Sequence, residues 1–171
     1  MFLAPDVPLT VSAVPLAFGS AGTAQTMRAM RELIEQGKRH PEIIRAATAV
    51  IYTTPEKFEA GEACAVFDFV RDTVRYVRDV NGAETLAAPH ITLARQLGDC
   101  DDQVTLLGAM LEAVGYPTRL VVAAYQGPSL WEHVYLQVWA DGEWIACDPT
   151  ERQPMGYEPP GAAGLWIEGG A

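Results

Sequence analysis

Positive charge is scarce in this chain. Lys and Arg together number 12 against 22 Asp and Glu, a formal net charge of −10. Nucleic-acid binding normally requires a basic face, and anionic membranes attract one, so neither is an expected partner. Cysteine is sparser still. Cys64, Cys100 and Cys147 are odd in number and far apart, which leaves no disulfide framework and no C-x-x-C zinc pair. Long apolar runs are missing, and none approaches the roughly 20 residues of a membrane-spanning helix. The first residues are apolar but have no basic start and are broken by Pro5, Pro8 and Pro15, so a signal peptide is not expected. Repeats and low-complexity segments are absent as well. A soluble chain in a reducing, cytoplasmic setting is the expectation.

What is present is an ordinary globular balance. Of 171 residues, 49% are hydrophobic and 20% charged, enough for a single domain spanning 1–171 with its own core. Residues 1–20 read as extended or irregular. The spacing of Met27, Met30, Leu33 and Ile34 predicts a helix closing at Gly37, and Pro41 opens a second at its first turn. These make a helical extension over about 22–58. A third helix is expected from Ala63, Phe67, Val70, Val74 and Val77, ending near Asn81-Gly82, with Cys64 on or beside its apolar stripe. After a connector with about one helical turn, Leu106, Leu107, Met110, Leu111 and Val114 mark a fourth helix, stopped by Gly115.

The period then changes. "TRLVVAAY", "HVYLQVWA" and "EWIACDP" read as three strands, and Asp141-Gly142 between the last two is a two-residue hairpin signal. From about 151 to 171, Pro and Gly predict an irregular tail. Helices followed by strands give an α+β fold, with N-terminal helices packed on a small antiparallel sheet. Trp139 and Trp144 flank the hairpin turn as packing residues. Trp131 suits either a cleft wall or the core.

The hairpin carries a geometric consequence. With Asp141 and Gly142 as the turn, Ala140 faces Glu143 and Tyr135 faces Asp148. His133 then shares a face with Tyr135, one diagonal step from Asp148, a distance that an imidazole and a carboxylate can bridge. A one-residue bulge would break the alignment. An Asp held against one ring nitrogen fixes the tautomer and leaves the other to act on a thiol. Cys100 offers that thiol at the start of the fourth helix, where first-turn N–H groups and the helix dipole favour a thiolate. Taken singly, each has a plainer reading: Cys100 as a buried thiol behind the cap Asp99, His133 as structural, and Asp148 as a strand end. His40 reads as a helix-boundary residue, and His90 is a weaker competitor for the role of base.

Gly98-Asp99-Cys100 opening a helix, followed by "YPTRLVV", "EHVYLQV" and "EWIACDPT", resembles the transglutaminase-like superfamily of papain-type cysteine enzymes. Upstream, "FVRDTVRYVRD" is similar to the helix preceding the nucleophile there, and the match spans about 60–150. The resemblance implies Cys100 as nucleophile at a helix N-terminus, His133 as general base, Asp148 as its orienter and Tyr76 as an oxyanion helper. It implies a cysteine peptidase or isopeptidase acting on a protein or peptide. Amine transfer to glutamine and a catalytically idle structural or adaptor protein are the alternatives. A subgroup of short phage and prophage virion proteins shares the combined pattern, which implies phage structural proteins as partners and a virion location. No cofactor is required. Asp99, Asp101 and Asp102 also resemble the acidic surround of the nucleophile in calcium-dependent bacterial relatives, which implies calcium at these carboxylates. The plainer expectation is that Asp99 caps the helix while Asp101 and Asp102 point into water.

Overall fold

The computed structural model describes residues 15, 17, 19–54, 58–78, 85–127 and 130–169. Five helices, α1 (Ser20–Gly37), α2 (Pro41–Tyr52), α3 (Glu59–Thr73), α4 (Pro89–Arg95) and α5 (Cys100–Ala113), pack beside a four-stranded antiparallel sheet. Its strands are β3 (Thr118–Ala124), β4 (Trp131–Ala140), β5 (Glu143–Cys147) and β6 (Gly164–Gly169), in the order β5-β4-β3-β6. A short parallel pair, β1 (Arg75–Tyr76) and β2 (Leu97–Gly98), stands apart. This is the expected α+β arrangement. Among the described residues no helix is long and apolar enough to cross a membrane.

Helix α5 is the hub, because every residue from Asp102 to Leu111 is buried. It packs against α1, α2, α3, α4 and β4. Two glycines permit the close crossings. A Cβ on Gly108 would lie 2.8 Å from Ile34 and 3.1 Å from Leu136, and one on Gly37 would lie 2.6 Å from Pro89. On the helical side of the sheet, Leu120, Val122, Val134, Leu136, Val138 and Cys147 join the main core with Met27, Met30, Ile34, Phe67 and Val70. On the other side, Val121, Ala123, Tyr135 and Ala146 form a second cluster. The two sets alternate along β3 and β4, as strand pleating requires.

Pro41 begins α2 behind His40, whose Nδ1 accepts the Glu42 N–H at 3.3 Å. Two expectations are corrected. The third helix stops at Thr73, and Val74 is extended at φ −92, ψ 113. The Arg75 N–H instead reaches the Gln96 carbonyl and the Val77 N–H reaches that of Gly98, so the chain runs as β1, with Val77 exposed. Its expected end at Asn81-Gly82 lies outside the described residues. The tail is also not irregular throughout: Gly164–Gly169 pairs with β3 from Arg119↔Gly169 to Ala124↔Gly164 and makes the sheet four-stranded. Trp166 within it meets the Trp131 ring edge-on at 5.8 Å.

Candidate active site

The hairpin forms in the expected register, Ala140↔Glu143 through Leu136↔Cys147. Asp141 and Gly142 both have positive φ, 51 and 84, as a tight primed turn requires. Asp148 follows β5 directly, and its Oδ2 lies 2.5 Å from His133 Nε2. The carboxylate is 3% exposed. Its other oxygen accepts the Thr150 N–H at 3.1 Å and the Thr150 hydroxyl at 2.7 Å. Thr150 is therefore a site residue that the sequence reading passed over. The signal was available, since a hydroxyl two residues after an Asp is a common turn partner.

A bulge does occur, but on the opposite side of β4. The β3–β4 register shifts between Ala123 and Ala124, leaving Glu132 as the extra residue. His133 keeps the face of Tyr135, while Trp131 turns to the main core and lines the cavity described below. The displaced Glu132 carboxylate accepts the Tyr125 and Gln126 N–H groups at 3.1 Å each, which fixes the adjoining loop. Trp131 thus serves both roles considered for it, and its Nε1 donates to Ser20 Oγ at 3.2 Å.

Cys100 is the first residue of α5, and Asp99 is its N-cap, accepting the Asp102 N–H at 3.2 Å. The preceding Gly98 is held from several sides. Its carbonyl accepts the Val77 N–H at 3.0 Å and Gln103 Nε2 at 3.4 Å, and a Cβ there would lie 2.6 Å from that of Asp102. Cys100, Asp99, Asp101 and His133 line one cavity of about 370 Å³ between the first turns of α1 and the start of β4. The structure thus places Cys100 and His133 on one cavity, with Asp148 bonded to His133. Tyr76 stands beside the site, 46% exposed, and Arg78 rather than Tyr76 contributes to the cavity wall. Arg78 was missed because the helical pattern was carried past Thr73.

Burial, then the Asp101 and Asp99 charges, push the Cys100 thiol well above its ordinary range. Its Sγ lies 3.4 Å from Asp101 Oδ1, to which it donates. For His133, burial acts downward, but the hydrogen bond and charge of Asp148 outweigh it, and Glu151 and Asp101 add to them, so the imidazole is held above its usual value. Burial, Cys100 and Asp99 raise Tyr76, against the neighbouring Arg78 guanidinium.

The three aspartates have protein tasks. Asp99 caps α5, Asp101 accepts from Cys100, and buried Asp102 accepts the Ala87 N–H at 2.8 Å rather than pointing into water. Among the described residues no group of three or more His, Cys, Asp or Glu side chains is arranged to hold a metal ion. The other histidines lie elsewhere, with His40 and His90 stacked at 4.1 Å and 7° between planes. Cys64 is half-buried beside Asp68, and Cys147 is in the core. Trp139 and Trp144 pack edge-on at 5.4 Å by the hairpin turn.

Comparison with solved structures places this architecture among known folds. A candidate cysteine protease from Cytophaga hutchinsonii is similar at a TM-score of 0.53 and 18% identity, over 75% of this chain and 46% of the other. A candidate protease from Parabacteroides distasonis gives 0.57 and 15%, over 75% and 27%. LapG of Legionella pneumophila gives 0.50 and 20%, over 73% of each chain. The chain thus spans less than half the length of the first two. No curated protein matches the sequence. The family profile described as the transglutaminase-like superfamily matches residues 46–149, which is more than half of the chain and includes Cys100, His133 and Asp148. The chain belongs to the transglutaminase-like superfamily.

Proposed function

We propose that the chain is a cysteine hydrolase that cleaves a peptide or isopeptide amide through a thioester. The observation that carries this reading is the His133–Asp148 pair at 2.5 Å, opening onto the same cavity as a cysteine at a helix N-terminus. Asp148 takes Nε2–H, so Nδ1 is the nitrogen available to the thiol. Cys100 gives its proton to Nδ1, and the sulfur pair attacks the carbonyl carbon. The imidazolium returns the proton to the leaving amine, and water, deprotonated by the same nitrogen, releases the acid. Asp148 stabilises the imidazolium and is in turn oriented by Thr150. This reading calls on no metal ion, so calorimetry with millimolar calcium is expected to show no binding heat at the aspartates.

The two raised pKa values set the energetics. A raised imidazole is a stronger base, and a raised thiol is a weaker acid, so carboxylate crowding works against thiolate formation. Cys100 rests as a thiol donating to Asp101, and a substrate that displaces this contact frees it for His133.

A peptide library incubated with wild type and with Cys100→Ala tests the reading. New N-termini are expected only with wild type. Incorporation of a labelled primary amine at glutamine, with no new termini, would assign amine transfer to the same residues. Identical peptide sets from both proteins would sink the enzymatic reading in favour of a scaffold.

A further inference from the structure

Resting on the cysteine-hydrolase reading, the geometry points to Arg78 as the group that binds the oxyanion formed when Cys100 attacks, with Tyr76 as its positioning residue. Strand β1 is fixed against β2 by the Arg75 and Val77 N–H groups, at 2.9 and 3.0 Å from the Gln96 and Gly98 carbonyls. The pairing sets Tyr76 beside Gly98, and β2 runs straight into Asp99 and Cys100. Strand alternation sends Tyr76 and Arg78 to one side and Val77 to the other. Arg78 accordingly lines the cavity that holds Cys100 and His133, and the Tyr76 phenol lies beside its guanidinium and within the field of Cys100.

The charges in that cavity say why a cation is needed. Among its described lining residues Arg78 is the only Lys or Arg, whereas Asp99, Asp101 and Glu132 are acidic. In the acylation step a C–S bond forms as the thiol proton passes to His133, and the carbonyl π pair moves onto oxygen. The new oxyanion forms beside acidic residues whose charge opposes it, Asp101 in contact with Cys100 among them. The Asp102 N–H is already committed to the Asp99 cap. A guanidinium on the same wall offsets the developing charge, and it acts most strongly once substrate has excluded water from the cleft. The oxyanion then collapses, expelling the leaving group and restoring the carbonyl as a thioester.

Two reagents separate this role from any effect on the nucleophile. Iodoacetamide alkylates Cys100 by displacement at carbon, with no oxyanion. In p-nitrophenyl acetate the same sulfur must pass through one, with nitrophenolate as the leaving group. In the full chain, Arg78→Gln is expected to slow acetylation of Cys100 by ~10- to 100-fold while alkylation stays within about twofold of wild type. Arg78→Lys should recover part of the loss. Tyr76→Phe should slow acetylation less, and combining it with Arg78→Gln should cost nothing further, as expected of residues acting in series. Arg78 is exposed, so melting temperature should not change.

If acetylation and alkylation fall together in Arg78→Gln, the residue supports the thiolate and the proposal is overturned. Unchanged acetylation overturns it as well. A wild type whose alkylation depends on His133 but which resists acetylation leaves the nucleophile in place and removes the oxyanion role. A wild type that is not alkylated at all removes the hydrolase reading and this proposal with it.

Discussion

At the scale of single residues, the central tension is a nucleophile crowded by acids. Burial raises the Cys100 thiol first, and Asp101 and Asp99 add to it. The Asp101 contribution combines charge with the 3.4 Å contact that parks the thiol proton. Asp101→Asn removes the charge and retains a similar shape. Its Cys100 should alkylate faster at pH 7, by up to ~10-fold for one pKa unit of relief. Stopped labelling followed by mass spectrometry reads this directly, and an unchanged rate would show that Asp101 does not restrain the thiol. The aspartates themselves were legible as residue types near a nucleophile, but their tasks were not. Whether Asp102 faces water or the Ala87 N–H depends on where the connector returns, and a helix pattern does not encode that.

At the scale of elements, the site depends on how β2 hands over to α5. Gly98 is at the junction, where Asp102 Cβ leaves no room for a side chain. Gly98→Ala is expected to cost ~1–3 kcal/mol through overpacking and to slow Cys100 labelling in protein that remains folded. Chemical denaturation and labelling of the same sample check both, and a variant as stable and reactive as wild type would refute this view of the junction. The His133–Asp148 pairing was legible because a two-residue turn fixes register, and register fixes which side chains share a face. The end of α3 was not. Val74 and Val77 fall at helical spacing from Val70, yet β-branched and aromatic residues from Thr73 to Val77 also suit a strand, and the partner that decides between them, β2, is some 20 residues away in the chain. β6 was missed for a related reason. Leu165, Trp166 and Ile167 are only three strand formers between glycines, and the pairing with β3 is what makes them a strand.

At the scale of the whole molecule, two histidines bias stability in opposite directions. The raised His133 binds its proton more tightly in the folded chain. Its contribution is complete below the unfolded value of about 6.5 and fades as pH rises through the folded value. His90 is lowered, first by burial and then by His40 stacked on it. Its contribution is complete above about 6.5 and is lost as pH falls through the folded value. Melting curves from pH 5 to 9 should therefore show a shallower acid limb in His90→Gln and a shallower alkaline limb in His133→Gln. Limbs that move the other way would reverse both assignments. The most direct test of the account as a whole is the rate of Cys100 alkylation by iodoacetamide against pH, in wild type and in His133→Ala. If Cys100, His133 and Asp148 work as one unit, wild type labels at pH 7 at least ~10-fold faster than the variant, with a limb that belongs to the imidazole. Two superimposed profiles, each rising only above the ordinary thiol range, would mean that the three side chains share a cavity without sharing a reaction.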